Sequence, residues 1–474
     1  MLFSSIIFLC LFFPVFISIY FLIPGKHRNL WLFIGSMIFY MWGEKLLVLV
    51  MLFTILVNYM AGILVDKGYC RSGLMLSLTA SLGCLFYFKY ANFTYDNIVA
   101  LLHMLGVARA FHPLPQVVLP LGISFYIFQT ISYTIDVYRG HIKATRNLLS
   151  FATYVGMFPH LMAGPIVRYA DIAAQLEQVR RPRAVMISEG LERLIIGLAK
   201  KMFIANTFAA IADTVFGLDL DFISPGVAWI GILAYTFQIY FDFSAYSDMA
   251  IGMARVLGIR FLENFNYPYI AASVREFWRR WHISLSSWFR DYVYIPLGGN
   301  RKGARRTYLN LLVVFFVTGL WHGASWNFVV WGLWHGLFIV IERLGFGQVL
   351  ERLWRPVRHL YTLLVVVVGW VFFRADTLAE AVTYLKRMFV WNAPADQVVF
   401  YPPAFFNRET AAMFIIAVLF SMPLFPAVRG RLEAVFSRFR PALAVYYAGL
   451  FGMLYVIMMY LSVDTYNPFI YFRF

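Results

Sequence analysis

The strongest constraint on this chain is a succession of apolar stretches, most of them long enough to cross a bilayer, joined by short basic loops. A transmembrane helix needs about 20 mostly apolar residues. Candidate spans cover residues 2–23, 29–43, 46–65, 73–90, 117–138, 149–166, 190–212, 227–253, 308–322, 326–343, 358–373, 411–426 and 442–462. Some are too short or too polar to cross alone, so the expectation is about eleven crossings plus re-entrant or interfacial helices. The stretch 149–166 holds Pro159, His160, Gly164 and Pro165 and reads as a broken helix, tolerable only where protein or a cavity shields its backbone. The fold class expected is an all-α, polytopic integral membrane protein in one domain.

Composition agrees. Charged residues make up 14% of the chain and mean hydropathy is +0.70, whereas a soluble protein carries roughly 25% charged residues. The net charge of +16 is explained first by topology, because Lys and Arg collect on the cytoplasmic side. Putting the basic loops inside (Lys26 to Arg28, Lys67 with Arg71, Arg139 to Arg146, Arg180 to Lys201, Arg301 to Arg306, Arg352 to Arg358, Arg429 to Arg440) leaves the N-terminus, 89–115 and 391–410 outside. A smaller share of the charge suits an anionic substrate at the cytoplasmic mouth. Basic residues confined to short loops between spans argue against nucleic acid. The cysteines Cys10, Cys70 and Cys84 form no Cys-x-x-Cys pair, so neither a redox couple nor a metal site is expected. Residues 2–23 read as a retained first helix rather than a cleaved leader.

An ionisable side chain within such segments calls for a reason. His322 lies in Gly319-Leu320-Trp321-His322-Gly323-Ala324-Ser325-Trp326. Its imidazole suits general acid–base work near neutral pH, and Gly319, Gly323 and Ala324 leave room beside it. The alternative is a buried histidine bonded to a neighbouring helix. His335 repeats the triplet in Trp334-His335-Gly336, but on a continuous helix it would point about 140° away. A break near Gly323 to Ser325 would change that, and packing is its simpler role. His282 sits in a third setting. Residues 275–306 interleave Arg275, Arg279, Arg280, Arg290, Arg301, Lys302, Arg305 and Arg306 with Phe277, Trp278, Trp281, Trp288, Phe289, Tyr292 and Tyr294. The segment reads either as helices at the cytoplasmic interface or as a channel wall. In the second reading Arg279, Arg280 and Arg290 face phosphates and His282 faces the reacting centre.

Two further features carry chemistry. In 238–248, Gln238, Asp242 and Tyr246 share one helix face, while Ser244 and Asp248 share another. A polar clamp between helices and the orientation of a catalytic histidine are both open roles. The run Tyr294-Ile295-Pro296-Leu297-Gly298-Gly299-Asn300-Arg301-Lys302-Gly303 suits either a phosphate-cradling loop or a basic turn. It lacks the Walker ending, and the chain has neither a Gly-x-Ser-x-Gly elbow nor His-Glu-x-x-His.

With these residues in view the chain resembles the membrane-bound O-acyltransferases, and within them the bacterial exopolysaccharide branch typified by alginate and cellulose acetylation. The matching runs are Tyr87-Phe88-Lys89-Tyr90-Ala91-Asn92-Phe93, Leu119-Pro120-Leu121-Gly122-Ile123-Ser124-Phe125-Tyr126, Phe158-Pro159-His160-Leu161-Met162-Ala163-Gly164-Pro165, 240–252, 276–303, 319–336 and 467–474. The resemblance implies one domain over 1–474, with a motif core at about 115–345, folded as a ring of helices around a tunnelled centre. It implies catalysis by His322 with His282 in support, no metal and no bound cofactor. Candidates for substrate or donor binding are Arg279, Arg280, Arg290, Trp281, Trp321, Asp242, Tyr246 and Asn300. The implied donor is acetyl-CoA or another acyl thioester entering from the cytoplasm. The implied partners are a periplasmic acetyltransferase of the serine-hydrolase-like (SGNH) type, an exopolysaccharide synthesis and secretion complex, and the lipids of a bacterial inner membrane. Transfer of D-alanyl or lipid acyl groups, and transport of an acylated substrate, are the alternatives.

Overall fold

The computed structural model describes residues 1–107, 112–390, 400, 402–424, 427–428, 439–463 and 468–470. Half of the expected loop 391–410, the basic stretch 429–438 and, apart from 468–470, the closing run 467–474 lie outside them. The described residues are helical almost throughout and form no β-sheet. Among the described residues six helical stretches are long and apolar enough to span: Gly25–Asp66, Cys70–Met104, Ala184–Phe216, Trp326–Arg352, Arg355–Arg374 and Pro441–Val463.

The helices over 123–138 and 225–256 are buried along most of their length and form the centre. Helix α1 (Ile123–Tyr138) is buried along nearly its whole length. The expected span at 117–138 starts later, at Ile123, because Gly122 turns the chain with φ 76° just before it. A Cβ there would strike the Leu161 carbonyl oxygen, so only glycine fits. Helices α2 (Ala184–Ala199) and α3 (Pro225–Val256) pack backbone to backbone. A Cβ on Gly190 would lie 2.7 Å from the Gly252 oxygen, and one on Gly252 2.6 Å from the Gly190 oxygen. Close approach through small residues is how helices associate where water supplies no drive.

The expected broken segment is present. One helix runs over Leu148–Gly156, the chain kinks at Met157, and a single turn follows over Phe158–Leu161. Protein shields it: the Phe158 N–H donates to Ser36 Oγ at 3.0 Å and the Ile166 N–H to Ser284 Oγ at 2.9 Å. Two short helices, α4 (Val274–Arg280) and α5 (Ile283–Phe289), follow α3. Next comes a hairpin of α6 (Ala304–His322) and α7 (Trp326–Ile341), then α8 (Arg355–Arg374).

Asp242 and Asp248 act inside this bundle. Asp248 receives Arg193 at 2.8 Å and Lys200 at 2.7 Å. Asp242 receives Lys201 at 2.8 Å, with both side chains almost fully enclosed. The same pair holds the C-terminal segment: Lys201 Nζ donates to the Pro468 carbonyl, and the Ile470 N–H donates to Asp242 Oδ2 at 2.8 Å. Tyr246 stacks between Phe3 (4.6 Å) and Phe469 (4.9 Å).

Removing one partner of a buried ion pair strands the other charge, which costs about 3–5 kcal/mol, whereas apolar replacement of both is close to neutral. Lys201→Met should therefore lower the thermal unfolding midpoint in detergent, and Lys201→Met with Asp242→Leu should recover most of the loss. A double variant as unstable as the sum of the singles would refute this account.

Candidate active site

His322 is the last residue of α6. The helix stops because Gly323 takes extended backbone, and α7 returns antiparallel after Ser325. The hairpin closes tightly: a Cβ on Gly319 would strike the Phe328 carbonyl, and one on Gly332 the Phe315 carbonyl. The imidazole stands edge to face against Trp321 (4.8 Å), Trp331 (4.9 Å) and Phe373 (5.1 Å). Its Nδ1 is buried without a hydrogen-bond partner among the described residues. The ring borders a cavity of about 10 Å³ lined also by Ile239, Phe243, Trp281, Trp331, Trp370, Phe373 and Ile470. That volume holds about one water. An acetyl group is larger, so turnover requires one of these rings to move.

His282 is placed differently. It precedes α5 in the left-handed region (φ 44°, ψ 55°), a costly conformation for a residue with a Cβ, found where the surroundings enforce it. Asn264 enforces it. Asn264 Oδ1 accepts the Ser284 N–H (3.3 Å) and the Ser284 hydroxyl (2.8 Å), and lies 3.1 Å from His282 Nδ1. Asn264 Nδ2 donates to Ser247 Oγ at 3.1 Å. Because Oδ1 is an acceptor, the proton belongs on Nδ1 of a neutral His282, and Nε2 carries the lone pair. Nε2 is buried and has no partner among the described residues. The two histidines meet across Trp321, whose ring lies 6.1 Å from His282 and 4.8 Å from His322.

A second, larger space of about 600 Å³ adjoins α4 and α6. Its walls include Arg275, Arg279, Arg290, Arg343 and Arg358 opposed by Glu342 and Glu351, with Asn300 contributed by the glycine-rich loop. Asn310 pins that loop to α6 through the carbonyls of Leu297 (3.3 Å) and Gly299 (3.0 Å). Glu342 on the far wall caps α4, accepting the N–H groups of Val274 (2.6 Å) and Arg275 (3.1 Å). Arg290 is held by Asp291 at 2.6 Å. Burial pushes the Asp291 carboxyl up, but hydrogen bonds from Arg290 and Arg168 outweigh it and hold the group below its usual range. Among the described residues Arg275, Arg279, Arg343 and Arg358 form no ion pair, and against Glu342 and Glu351 they leave this vestibule with a net positive charge.

One layer of rings divides the two spaces. Trp278 lines the vestibule, Trp331 lines the His322 cavity, and they touch at 5.7 Å. Buried His335 packs on both, at 5.2 Å and 5.3 Å. The hairpin break thus brings the second histidine to the same partition rather than turning it away.

The residues singled out from sequence fall into three groups. His322 and Trp281 border the inner cavity, with His282 and Trp321 beside it. Arg279, Arg290 and Asn300 line the vestibule. Arg280, Asp242 and Tyr246 lie elsewhere: Arg280 is tied to Glu276 at 2.9 Å and to the Asn266 carbonyl, and the other two hold the C-terminal segment. Sequence reasoning passed over Asn264, Trp331, Trp370 and Lys89. Asn264 sits in a loop with no periodicity to mark it. Lys89 met the same criterion as His322, an ionisable residue within an apolar stretch.

A bundle enclosing a histidine-bordered cavity behind a cationic vestibule suits an enzyme that transfers an acyl group within the membrane. The family model described as MBOAT, the membrane-bound O-acyltransferase family, matches residues 32–379, and the chain belongs to that family. It is a multi-pass membrane protein and an O-acyltransferase. It is 47% identical over 395 residues to a probable alginate O-acetylase of Pseudomonas putida, covering 82% of this chain and 80% of that protein. A peptidoglycan O-acetyltransferase of Helicobacter pylori is 34% identical over 470 residues, with 90% and 87% covered. A teichoic acid D-alanyltransferase of Bacillus subtilis is 26% identical over 275 residues, with 55% and 68% covered.

If Asn264 acts through His282, the two substitutions should not add. Asn264→Ala and His282→Ala should each reduce acyl transfer, and the double variant should be no slower than the worse single. Multiplying effects in a double-mutant cycle would show that Asn264 acts independently.

Proposed function

We propose that this protein O-acetylates an exopolysaccharide of the alginate type, passing acetyl from a cytoplasmic thioester, acetyl-CoA, through the inner membrane to a periplasmic partner acetyltransferase. The observation that carries the reading is the pairing of an enclosed histidine with a cationic vestibule one ring layer away. The relatives named for alginate O-acetylation are the more identical ones and cover most of the chain, which favours acetyl over D-alanyl and alginate over peptidoglycan. The chain also lacks a nucleophile elbow of its own, which suits a relay to a partner's hydroxyl.

In this mechanism the guanidinium groups of Arg275, Arg279, Arg343 and Arg358 take the donor's phosphates, where charge-assisted bonds are strong. The thioester arm passes the Trp278 and Trp331 layer. His322 removes the proton from the acceptor hydroxyl as its oxygen attacks the thioester carbonyl. The tetrahedral intermediate collapses with breakage of the C–S bond, and the imidazolium returns its proton to the departing thiolate. The ester forms, the thiol is released and His322 ends neutral. His282, with Nε2 free of a proton, supports the same side of the reaction.

His322→Ala should abolish O-acetyl groups on the secreted polymer, read as the acetyl methyl signal by NMR, while the protein stays in the membrane. Full acetylation by that variant sinks the assignment. Mass spectrometry of groups released from the polymer separates acetyl from D-alanyl. For the donor, Arg275→Gln and Arg279→Gln should each raise KM for acetyl-CoA by about 10-fold with little change in kcat, as expected for loss of a charged hydrogen bond worth roughly 1.5 kcal/mol. KM values unmoved by both changes would rule out a polyanionic donor in the vestibule.

A further inference from the structure

The four carbonyls at the C-terminal end of a helix have no partner inside it. In α6 these belong to Gly319, Leu320, Trp321 and His322. The Gly323 N–H takes the first at 3.3 Å. The remaining ones are taken by two adjacent residues far away in sequence. Tyr90 Oη donates to the Leu320 oxygen at 2.8 Å. Lys89 Nζ donates to the Trp321 oxygen at 2.6 Å, to the His322 oxygen at 3.2 Å and to Ser124 Oγ at 3.3 Å.

Lys89 and Tyr90 close a π-helical turn (Phe86–Tyr90) inside the long stretch Cys70–Met104. Such turns are rare, and they cluster at functional sites. No carboxylate pairs with Lys89 among the described residues. An ammonium in this setting is costly without compensation, and what compensates it is the negative end of the helix that carries His322. Lys89 also lies 6.0 Å from the centre of the Trp321 ring, the ring between the two histidines.

We infer that Lys89 is a positioning residue for acyl transfer: its ammonium fixes the end of α6, and with it the imidazole of His322. The inference rests on the reading of His322 as the base. Without this cap two buried carbonyls lose their donor, and the last turn of α6 is free to unwind toward Gly323. The histidine then leaves its place between Trp321, Trp331 and Phe373. A displacement of about 1 Å at a reacting group costs on the order of 100-fold in rate. The arginines of the donor vestibule lie off α6, which lines that space only with Leu311, Val314, Phe315 and Thr318, ahead of the carbonyls that Lys89 caps, so donor binding survives the loss of the cap.

The test uses the full-length protein in lipid nanodiscs, with acetyl-CoA as probe, comparing Lys89→Met, Lys89→Arg and His322→Ala with the parent. For Lys89→Met we expect kcat to fall by about 10- to 100-fold, with KM for acetyl-CoA within about twofold. Lys89→Arg keeps a charged donor at the helix end and should recover most of that loss, which generic damage to packing would not allow. A Lys89→Met enzyme with parental kcat, or one altered in KM alone, overturns the proposal. If Lys89→Met does not accumulate, Lys89→Gln is judged by the same criteria, since it keeps a neutral donor and loses the charge. His322→Ala separates the two readings. Parental activity in that variant removes the base assignment, whereas an inactive His322→Ala beside a parental Lys89→Met removes the Lys89 inference alone.

Discussion

A helix that stops away from water must have its end groups answered by other parts of the protein, and the candidate active site here is assembled from such ends. Helix α6 ends at His322 with its carbonyls held by Lys89, Tyr90 and Gly323. Helix α5 begins after His282 with Asn264 accepting the Ser284 N–H. Helix α4 begins with Glu342 accepting the Val274 and Arg275 N–H groups. The break at Met157 is answered by Ser36. Lys89, Tyr90, Glu342 and Ser36 come from distant parts of the chain, and Asn264 from the preceding loop. The geometry of the site is therefore inseparable from the packing of the bundle, and cannot be changed locally without leaving a buried polar group unsatisfied.

What could be read from sequence follows from this. The all-helical, multi-pass architecture was legible because lipid imposes one length and one polarity on its spans, though only six of the expected stretches are long and apolar enough among the described residues. The broken segment at 149–166 was legible because Pro and Gly mark it. His322 was legible because a buried imidazole stands out against Leu, Val and Phe. The partners were not. Nothing near Asn264 announces that it orients a histidine in the next loop, since side-chain bonds to helix ends carry no periodicity. Arg280 was misplaced for a related reason: its neighbour Arg279 reaches the vestibule, while it turns back to Glu276, and one residue of helix rotation separates the two fates. Asp242 and Tyr246 were recognised as a polar face, but what that face meets, the segment 468–470, lies far off in sequence.

The two cavities divide the work by polarity. The vestibule offers charge and volume, the inner cavity offers neither, and the wall between them is aromatic. Indole N–H groups of Trp278 and Trp331 are buried without acceptors among the described residues. A wall of rings separates the inner cavity from the charged vestibule while leaving N–H donors at hand, a combination that aliphatic side chains do not supply.

The stack of Phe3, Tyr246 and Phe469 has a consequence for how the protein comes into being. A chain that enters the membrane from its N-terminal end commits Phe3 and its neighbours early, while Pro468 to Ile470 arrive after the helix Arg440–Val463. Ile470 is a wall of the His322 cavity, and its backbone satisfies Asp242. The inner chamber is thus finished only when the segment 468–470 docks. Until then it stays open on one side and Asp242 lacks a hydrogen bond. Assembly order itself delays the closed chamber until residues 468–470 have docked.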